Sequence, residues 1–171
     1  ASPLDLKNSI TKSCNAYYCF VYRSILDNPN YKSVQDAYVK WADYLHSFAI
    51  GTNTGIDLPE ESGGIVKKPG YFEREFGKNW RSSNVISMSI GQGQIGLTPL
   101  QMANVAAIIA NKGFFYTPHV VRSIGDQHFV PPEFRKKRYT MISASNFDTI
   151  IAGMAKVCLP GGTAGRTGIP A

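Results

Sequence analysis

The chain has 171 residues, 43% of them hydrophobic, which suits one globular domain with a real core and excludes disordered and collagen-like classes. Its net charge of +6, from 18 Lys and Arg against 12 Asp and Glu, is scattered except at Lys67-Lys68 and Arg135-Lys136-Lys137-Arg138. No aromatic stacking platform accompanies those runs, so they read as solvated loop and not as a nucleic-acid patch; an anionic substrate or a membrane surface also suits the charge.

Cys14, Cys19 and Cys158 form no C-x-x-C pair and have no histidine cluster nearby, which argues against a zinc site or a disulfide framework and leaves room for one bridge at most. No stretch has the apolar length of a membrane span and the N-terminus has no signal-peptide pattern, so the chain reads as cytoplasmic or as a piece of a longer, exported protein.

Ser2, Pro3 and Asp5 combine an N-cap, a first-position proline and a first-turn acid, which predicts a helix to about Lys12. Ser13-Cys14-Asn15 breaks it. Asn15 is then placed to cap a second helix over 16–26, with Tyr17, Phe20, Val21, Ser24 and Ile25 on one face. After the turn cluster at 27–30, a third helix starts at Ser33, carries Val34, Ala37, Tyr38, Trp41, Leu45 and Phe48 at helical spacing, and is ended by Gly51. Residues 52–84 show no sustained period and read as a long ordered loop, anchored by Tyr71, Phe72, Phe76 and Trp80.

The best-defined stretch follows. Alternation over 85–90 predicts a half-buried strand, and Gly91, Gly93 and Gly96 a tight turn. Thr98, Pro99 and Gln101 then supply an N-cap, an N1 proline and a capping box. The helix from 99 to about 111 has hardly a polar interruption, predicting burial nearly all round, and Gly113 supplies its stop. A strand is predicted over 114–124 and irregular chain over 127–137. A last helix, capped by Ser143 or Ser145, carries Phe147, Ile150, Ile151, Met154 and Val157, and a flexible exit follows over 161–165. There is no internal repeat and no interdomain linker.

Several short patterns carry chemistry elsewhere. Residues 91–96 satisfy G-x-G-x-x-G between a predicted strand and helix, but a dinucleotide site needs a carboxylate about 20 residues on, and the next one is Asp126. Serine acyl transfer needs a nucleophile one helical turn before a lysine (S-x-x-K), a hydroxyl and an amide in S-x-N, and a K-T-G strand. Ser9-Ile10-Thr11-Lys12 fits the first pattern but runs directly into Ser13 on the same segment, so it reads as surface helix. Ser13-Cys14-Asn15 and Ser82-Ser83-Asn84 both fit the second, and for either the structural reading is a turn or helix cap; the latter reads as loop. Arg166-Thr167-Gly168 imitates the third, yet Pro170 cannot donate to a central ladder. His46, His119 and His128 are isolated and read as structural; Glu60, Glu61, Glu73 and Glu75 read as charged loop.

Taken jointly, KSCNAYYCF (12–20), FAIGTNTGIDLPEESG (48–63), IGQGQIGLTPLQMANVAAIIANKG (90–113), FYTPHVV (115–121) and the GTA and I-P steps at 162–164 and 169–170 resemble class B penicillin-binding proteins, the peptidoglycan D,D-transpeptidases, and among them the elongation type. Ala49 stands where glycine is usual. The resemblance implies an α+β fold, part of the β-lactamase/transpeptidase-like architecture: a helical lobe plus part of an antiparallel sheet packed by helices.

On this resemblance, residues 1–171 are the central part of a transpeptidase domain that lacks the S-x-x-K and K-T-G segments. Ser13 relays a proton to and from the nucleophile and leaving group, and Asn15 holds the substrate amide. The implied reaction is acylation of a serine by D-Ala-D-Ala stem peptides, with β-lactams as traps and no metal or cofactor. Implied partners are wall-elongation membrane proteins and not nucleic acid; the implied location is the periplasmic side of a membrane-anchored bacterial protein. The alternatives are a β-lactamase or penicillin sensor of the same fold, and a non-catalytic binding module of the elongation machinery.

Overall fold

A computed structural model describes residues 4–126 and 129–167. In chain order the elements are α1 (Leu6–Thr11), α2 (Asn15–Leu26), α3 (Val34–Ser47), β1 (Ile65–Val66), α4 (Pro69–Phe76), a 3-10 helix (Ser82–Ile90), β2 (Ile95–Gly96), α5 (Pro99–Ala110), β3 (Phe114–Tyr116), α6 (Pro132–Arg135), β4 (Lys137–Tyr139), a 3-10 turn (Ala144–Asn146) and α7 (Phe147–Val157). Both sheets are antiparallel pairs: β1 with β2, setting Ile65 opposite Gly96, and β3 with β4, setting Phe115 opposite Arg138.

Two apolar clusters organise these pieces. In the first, α2, α3, α4, the 3-10 helix and the loop before it pack Tyr22, Leu26, Tyr38, Phe72, Trp80, Val85 and Met88 together. Its rings meet mostly edge to face, Tyr22 with Trp41 at 4.9 Å and Tyr38 with Phe72 at 5.1 Å, contacts worth about 0.5–1.5 kcal/mol each beyond area burial. The second joins Ala49, Ile108, Phe115 and Phe147 from the end of α3, α5, β3 and α7.

Several expected elements take a different form. Residues 85–90 are not a strand: they belong to a 3-10 helix that buries Ser82, Val85 and Met88. With three residues per turn, positions i and i+3 eclipse, so 82, 85 and 88 share the buried face while Ile86 and Ile90, which alternate with Met88, do not. The loop read over 52–84 contains β1 and α4. Pro69 sits in the first turn of α4, Phe72 and Trp80 are fully buried, and Phe76 stays exposed. On α2 the inward residues are Tyr22 and Leu26, so the predicted apolar face is real but points out, with Phe20 71% exposed.

The strand read over 114–124 stops at Tyr116. Pro118 lacks a ladder donor, and the Asp57 carboxylate takes the N–H groups of Val120 and Val121 at 2.8 and 3.1 Å. Within 127–137 lie α6 and the start of β4. Neither Ser143 nor Ser145 caps α7; Ser143 precedes the 3-10 turn without a side-chain cap bond. The Ser2 and Pro3 part of the first helix start lies outside the described residues, and Asp5 is the observed cap, accepting from Asn8 N–H at 2.7 Å.

The α5 start matches its sequence signature. The Thr98 hydroxyl accepts from Gln101 N–H at 3.2 Å and the Gln101 side-chain oxygen accepts from Thr98 N–H at 3.0 Å. The Gln101 carboxamide nitrogen then shares its two hydrogens among the carbonyls of Ala49 (2.7 Å), Thr52 (3.0 Å) and Gly63 (2.7 Å). Burial all round is not found: α5 buries Gln101, Asn104 and Ile108, whereas Met102, Ala103, Ala106, Ala107 and Ala110 stand exposed. Only one side of the helix meets packing partners among the described residues, in α7, β3 and the turn after α3.

The 54–61 turn closes on a carboxylate. Glu61 accepts from Thr54 N–H and hydroxyl, both at 2.6 Å, and from Gly55 N–H at 2.9 Å, while Arg138 donates to the Thr54 carbonyl and covers the Phe115 ring at 4.7 Å. Burial pushes the Glu61 carboxyl up, but these hydrogen bonds outweigh it and hold the group below its ordinary value.

Gln101→Leu keeps the volume but orphans buried carbonyls, so urea unfolding should show a loss of about 3 kcal/mol or more; Gln101→Glu, facing three carbonyl oxygens with a carboxylate, should cost more. A carboxyl depressed on folding stabilises above its unfolded pKa and loses that contribution as pH falls through the folded value. Stability should therefore fall from about pH 5 to pH 3, with a shallower slope in Glu61→Gln, read from unfolding midpoints across that window.

Candidate functional site

The Ser13 turn is built by a helix end. Cys14 N–H donates to the Ser9 carbonyl at 3.0 Å and Ser13 N–H to the Ile10 carbonyl at 3.0 Å, the paired bonds of a Schellman termination. That motif needs the residue after the cap to be left-handed, and Ser13 takes the position with φ 49°. Glycine is the usual occupant, because an L-residue there costs roughly 1–2 kcal/mol. α2 starts two residues later. Its N-cap is Cys14, which makes no side-chain cap bond, and Asn15 is the first helical residue and not the cap it was read as.

Ser13 and Asn15 are therefore neighbours at the surface, two residues apart across a sharp reversal, and both are exposed. Among the described residues neither side chain has a hydrogen-bond partner. The backbone beneath them is fixed by the Cys14 carbonyl, which accepts from Tyr17 N–H at 3.1 Å.

The turn is also held from the far end of the chain. α1 lies against α7 at Gly153, where a Cβ would meet the Ile10 side chain at 3.0 Å, and the Thr11 hydroxyl donates to the Gly153 carbonyl at 3.3 Å. After α7, Thr163 N–H donates to the Thr11 carbonyl at 3.3 Å and the Lys12 ammonium to the Gly161 carbonyl at 2.6 Å. A cleft of about 230 Å³ beside the turn is lined by Asn8, Thr11, Lys12, Lys156 and the 159–161 loop, not by Ser13 or Asn15 themselves.

The competing patterns resolve structurally. Ser9 is fully buried rather than a surface residue, and its hydroxyl donates to the Leu6 carbonyl at 2.7 Å; Lys12 points to Gly161, so the S-x-x-K match holds no nucleophile pair. Ser82 is buried, and the Asn84 side chain caps the 3-10 helix by accepting from Arg81 N–H at 2.8 Å. Thr167 turns its hydroxyl back to the Ala164 carbonyl, and Gly168 to Pro170 lie outside the described residues. The glycine stretch at 91–96 follows a 3-10 helix and not a parallel strand, so the dinucleotide context is missing.

His119 rests on Phe134 with ring centres 4.8 Å apart, its Nδ1 2.8 Å from the Val121 carbonyl; His128 is outside the described residues. The three cysteines are free thiols, and Cys19 sulfur accepts from the Ser89 hydroxyl at 3.3 Å. Among the described residues no group of three His, Cys, Asp or Glu side chains is placed to hold a metal, and no helix is long and apolar enough to cross a membrane. Lys12 was missed as a contributor to the turn, since its partner lies 149 positions away and leaves no local signal.

A family model described as the penicillin binding protein transpeptidase domain matches residues 1–170. The peptidoglycan D,D-transpeptidase MrdA of Acinetobacter baumannii is 33% identical over 121 residues, covering 70% of this chain and 16% of that protein. Among solved structures, PBP2 of Pseudomonas aeruginosa in complex with WCK 5153 matches with a TM-score of 0.75 at 22% identity, covering 96% of this chain and 35% of that one. A complex between PBP2 and MreC from Helicobacter pylori matches at 0.67 and 24% identity, covering 92% and 26%. At these identities the structures speak for fold, and the fold is the expected one, a helical lobe with small antiparallel sheets that forms part of the transpeptidase architecture. The chain spans about a third or less of the relatives it matches, and by sequence and fold together it belongs to the penicillin-binding protein transpeptidase domain family.

Proposed function

We propose that residues 1–171 form the central part of a peptidoglycan D,D-transpeptidase domain, with the serine nucleophile and the K-T-G strand supplied by polypeptide on either side. The observation that carries this reading is the Ser13 turn, which keeps a hydroxyl and an amide exposed side by side, the serine in a left-handed conformation that usually falls to glycine.

In the reaction, the nucleophilic serine oxygen attacks the carbonyl of the penultimate D-Ala. Ser13 passes the released proton to the departing amine of the terminal D-Ala, while Asn15 hydrogen-bonds the peptide backbone of the donor. An amine from a second stem peptide then attacks the acyl-enzyme, and Ser13 passes the proton which that amine gives up to the nucleophile oxygen as the acyl bond breaks. A β-lactam acylates the same serine and blocks the second step.

Two further features support a larger domain. The outer face of α5 is apolar and open, and a cleft of about 450 Å³ lined by Leu6, Phe48, Ile109, Ile142, Phe147 and Ile150 opens between α1, α5 and α7. Both are surfaces that further sheet and helix would cover. Periplasmic placement on a membrane anchor and association with wall-elongation membrane proteins complete the reading; that a structurally similar PBP2 from Helicobacter pylori forms a complex with MreC supports a protein partner.

In the full-length protein, Ser13→Ala and Asn15→Ala should each slow acylation by a labelled penicillin about a hundredfold or more. Ser13→Gly should lose acylation to the same extent while unfolding at an equal or higher denaturant concentration, by about 1 kcal/mol, because glycine relieves the left-handed strain. Unchanged acylation in all three would point to a non-catalytic binding module, and rapid turnover of the acyl-enzyme by water to a β-lactamase.

A further inference from the structure

The structure assigns to Lys12 a positioning role: its ammonium clamps the glycine loop after α7 to the helix end that carries Ser13. This rests on the reading of Ser13 as the proton relay. Lys12 is the C-cap residue of α1, and Gly161, whose carbonyl it reaches at 2.6 Å, belongs to the loop that terminates α7. One cation therefore lies beside the C-terminal ends of both helices, the end of a helix that favours positive charge. Lys156, in the last turn of α7, lines the same cleft, and no carboxylate does. An ammonium bound to a carbonyl there makes a charge-assisted hydrogen bond.

The loop on the other side of the clamp has little freedom. A Cβ at Gly162 would run into the carbonyl oxygens of Lys156 and Val157, and one at Gly165 would meet the Leu159 oxygen at 2.5 Å. Ala164 N–H donates to the Val157 carbonyl at 3.0 Å and Thr163 N–H to the Thr11 carbonyl at 3.3 Å. The loop is thus folded onto α7 and stapled to α1 at Thr11 and Lys12, the two residues that precede Ser13. Letting go of that staple leaves the Schellman bonds of α1 in place but frees the turn to tilt. A shift of the order of an ångström in a proton-relay hydroxyl affects the chemical step far more than binding.

The test uses the full-length protein and a chromogenic penicillin, separating the reversible dissociation constant from the acylation rate constant. Lys12→Met should lower the acylation rate constant about tenfold with the dissociation constant and thermal midpoint unchanged, and Lys12→Arg, which keeps the charge and donor, should recover most of the rate. Gly162→Ala, which forces the loop off α7, should lower the acylation rate constant to a similar extent with the dissociation constant unchanged, and should lower the thermal midpoint as well. Wild-type acylation in Lys12→Met, or a fall in thermal midpoint with both constants moving together and no rescue by arginine, overturns the role. Ser13→Ala measured in parallel separates the two readings: lost acylation there with normal Lys12→Met removes only the clamp, whereas normal acylation in Ser13→Ala removes both.

Discussion

The buried carboxamide of Gln101 is the constraint that ties the rest of the chain together. Its oxygen closes the capping box of α5 and its nitrogen serves carbonyls at Ala49, Thr52 and Gly63, so one side chain sets where a helix starts and where a loop 38 to 52 positions earlier must lie. Nothing apolar of that size satisfies those oxygens. Gly64 is part of the same constraint, since a Cβ there would strike both Gln101 Oε1 and the Gly96 carbonyl. The β1–β2 pair and the turn after α3 therefore take their positions from a polar group at the centre, while the two apolar clusters fill in on either side.

Helix ends in this fold share one geometry with different consequences. α1, α3 and α5 all finish in Schellman pairs, and the left-handed position is occupied by Ser13, Ala49 and Lys112 in place of glycine. Ala49 is wholly buried, packed in the second cluster, and its carbonyl is bound by Gln101, so its methyl group returns some of the backbone strain as packing. Lys112 is paired with Asp148 at 2.7 Å. Ser13 has neither compensation among the described residues, which is what separates it from two conformationally equal neighbours and makes its side chain the functional candidate.

Legibility in the sequence followed the range of the interactions. The α5 start was readable because Thr98, Pro99 and Gln101 act on one another within four residues, and the α3 stripe because its period is local. The 85–90 stretch looks like a strand because Ile86, Met88 and Ile90 alternate, whereas the residues actually buried, Ser82, Val85 and Met88, recur every three and include a serine that no apolar pattern counts. The chain after β3 is held by Asp57, whose bonds to Val120 and Val121 span more than sixty positions, and the outward turn of Phe20 and Val21 is set by which face α3 and the 3-10 helix cover. At the site, the S-x-N pattern carried Ser13 and Asn15, but the roles of Asn15 as first helical residue and of Lys12 as clamp depend on backbone geometry and on partners that spacing does not encode.

The same range argument bears on how the site is maintained. A left-handed serine persists only where its surroundings over-determine it, and here the determinants come in two kinds. The Schellman bonds are local and form with α1, a six-residue helix that is not stable alone. The bonds from Gly153, Gly161 and Thr163 reach back 142 to 152 positions and exist only once α7 and its exit loop have docked. Because closing so long a loop costs entropy before any contact repays it, the α1–α7 pairing is expected late in folding. The exposed turn that carries Ser13 thus owes its shape to the least local contacts in the chain, so substitutions along α7 can alter its geometry without touching either Ser13 or Asn15.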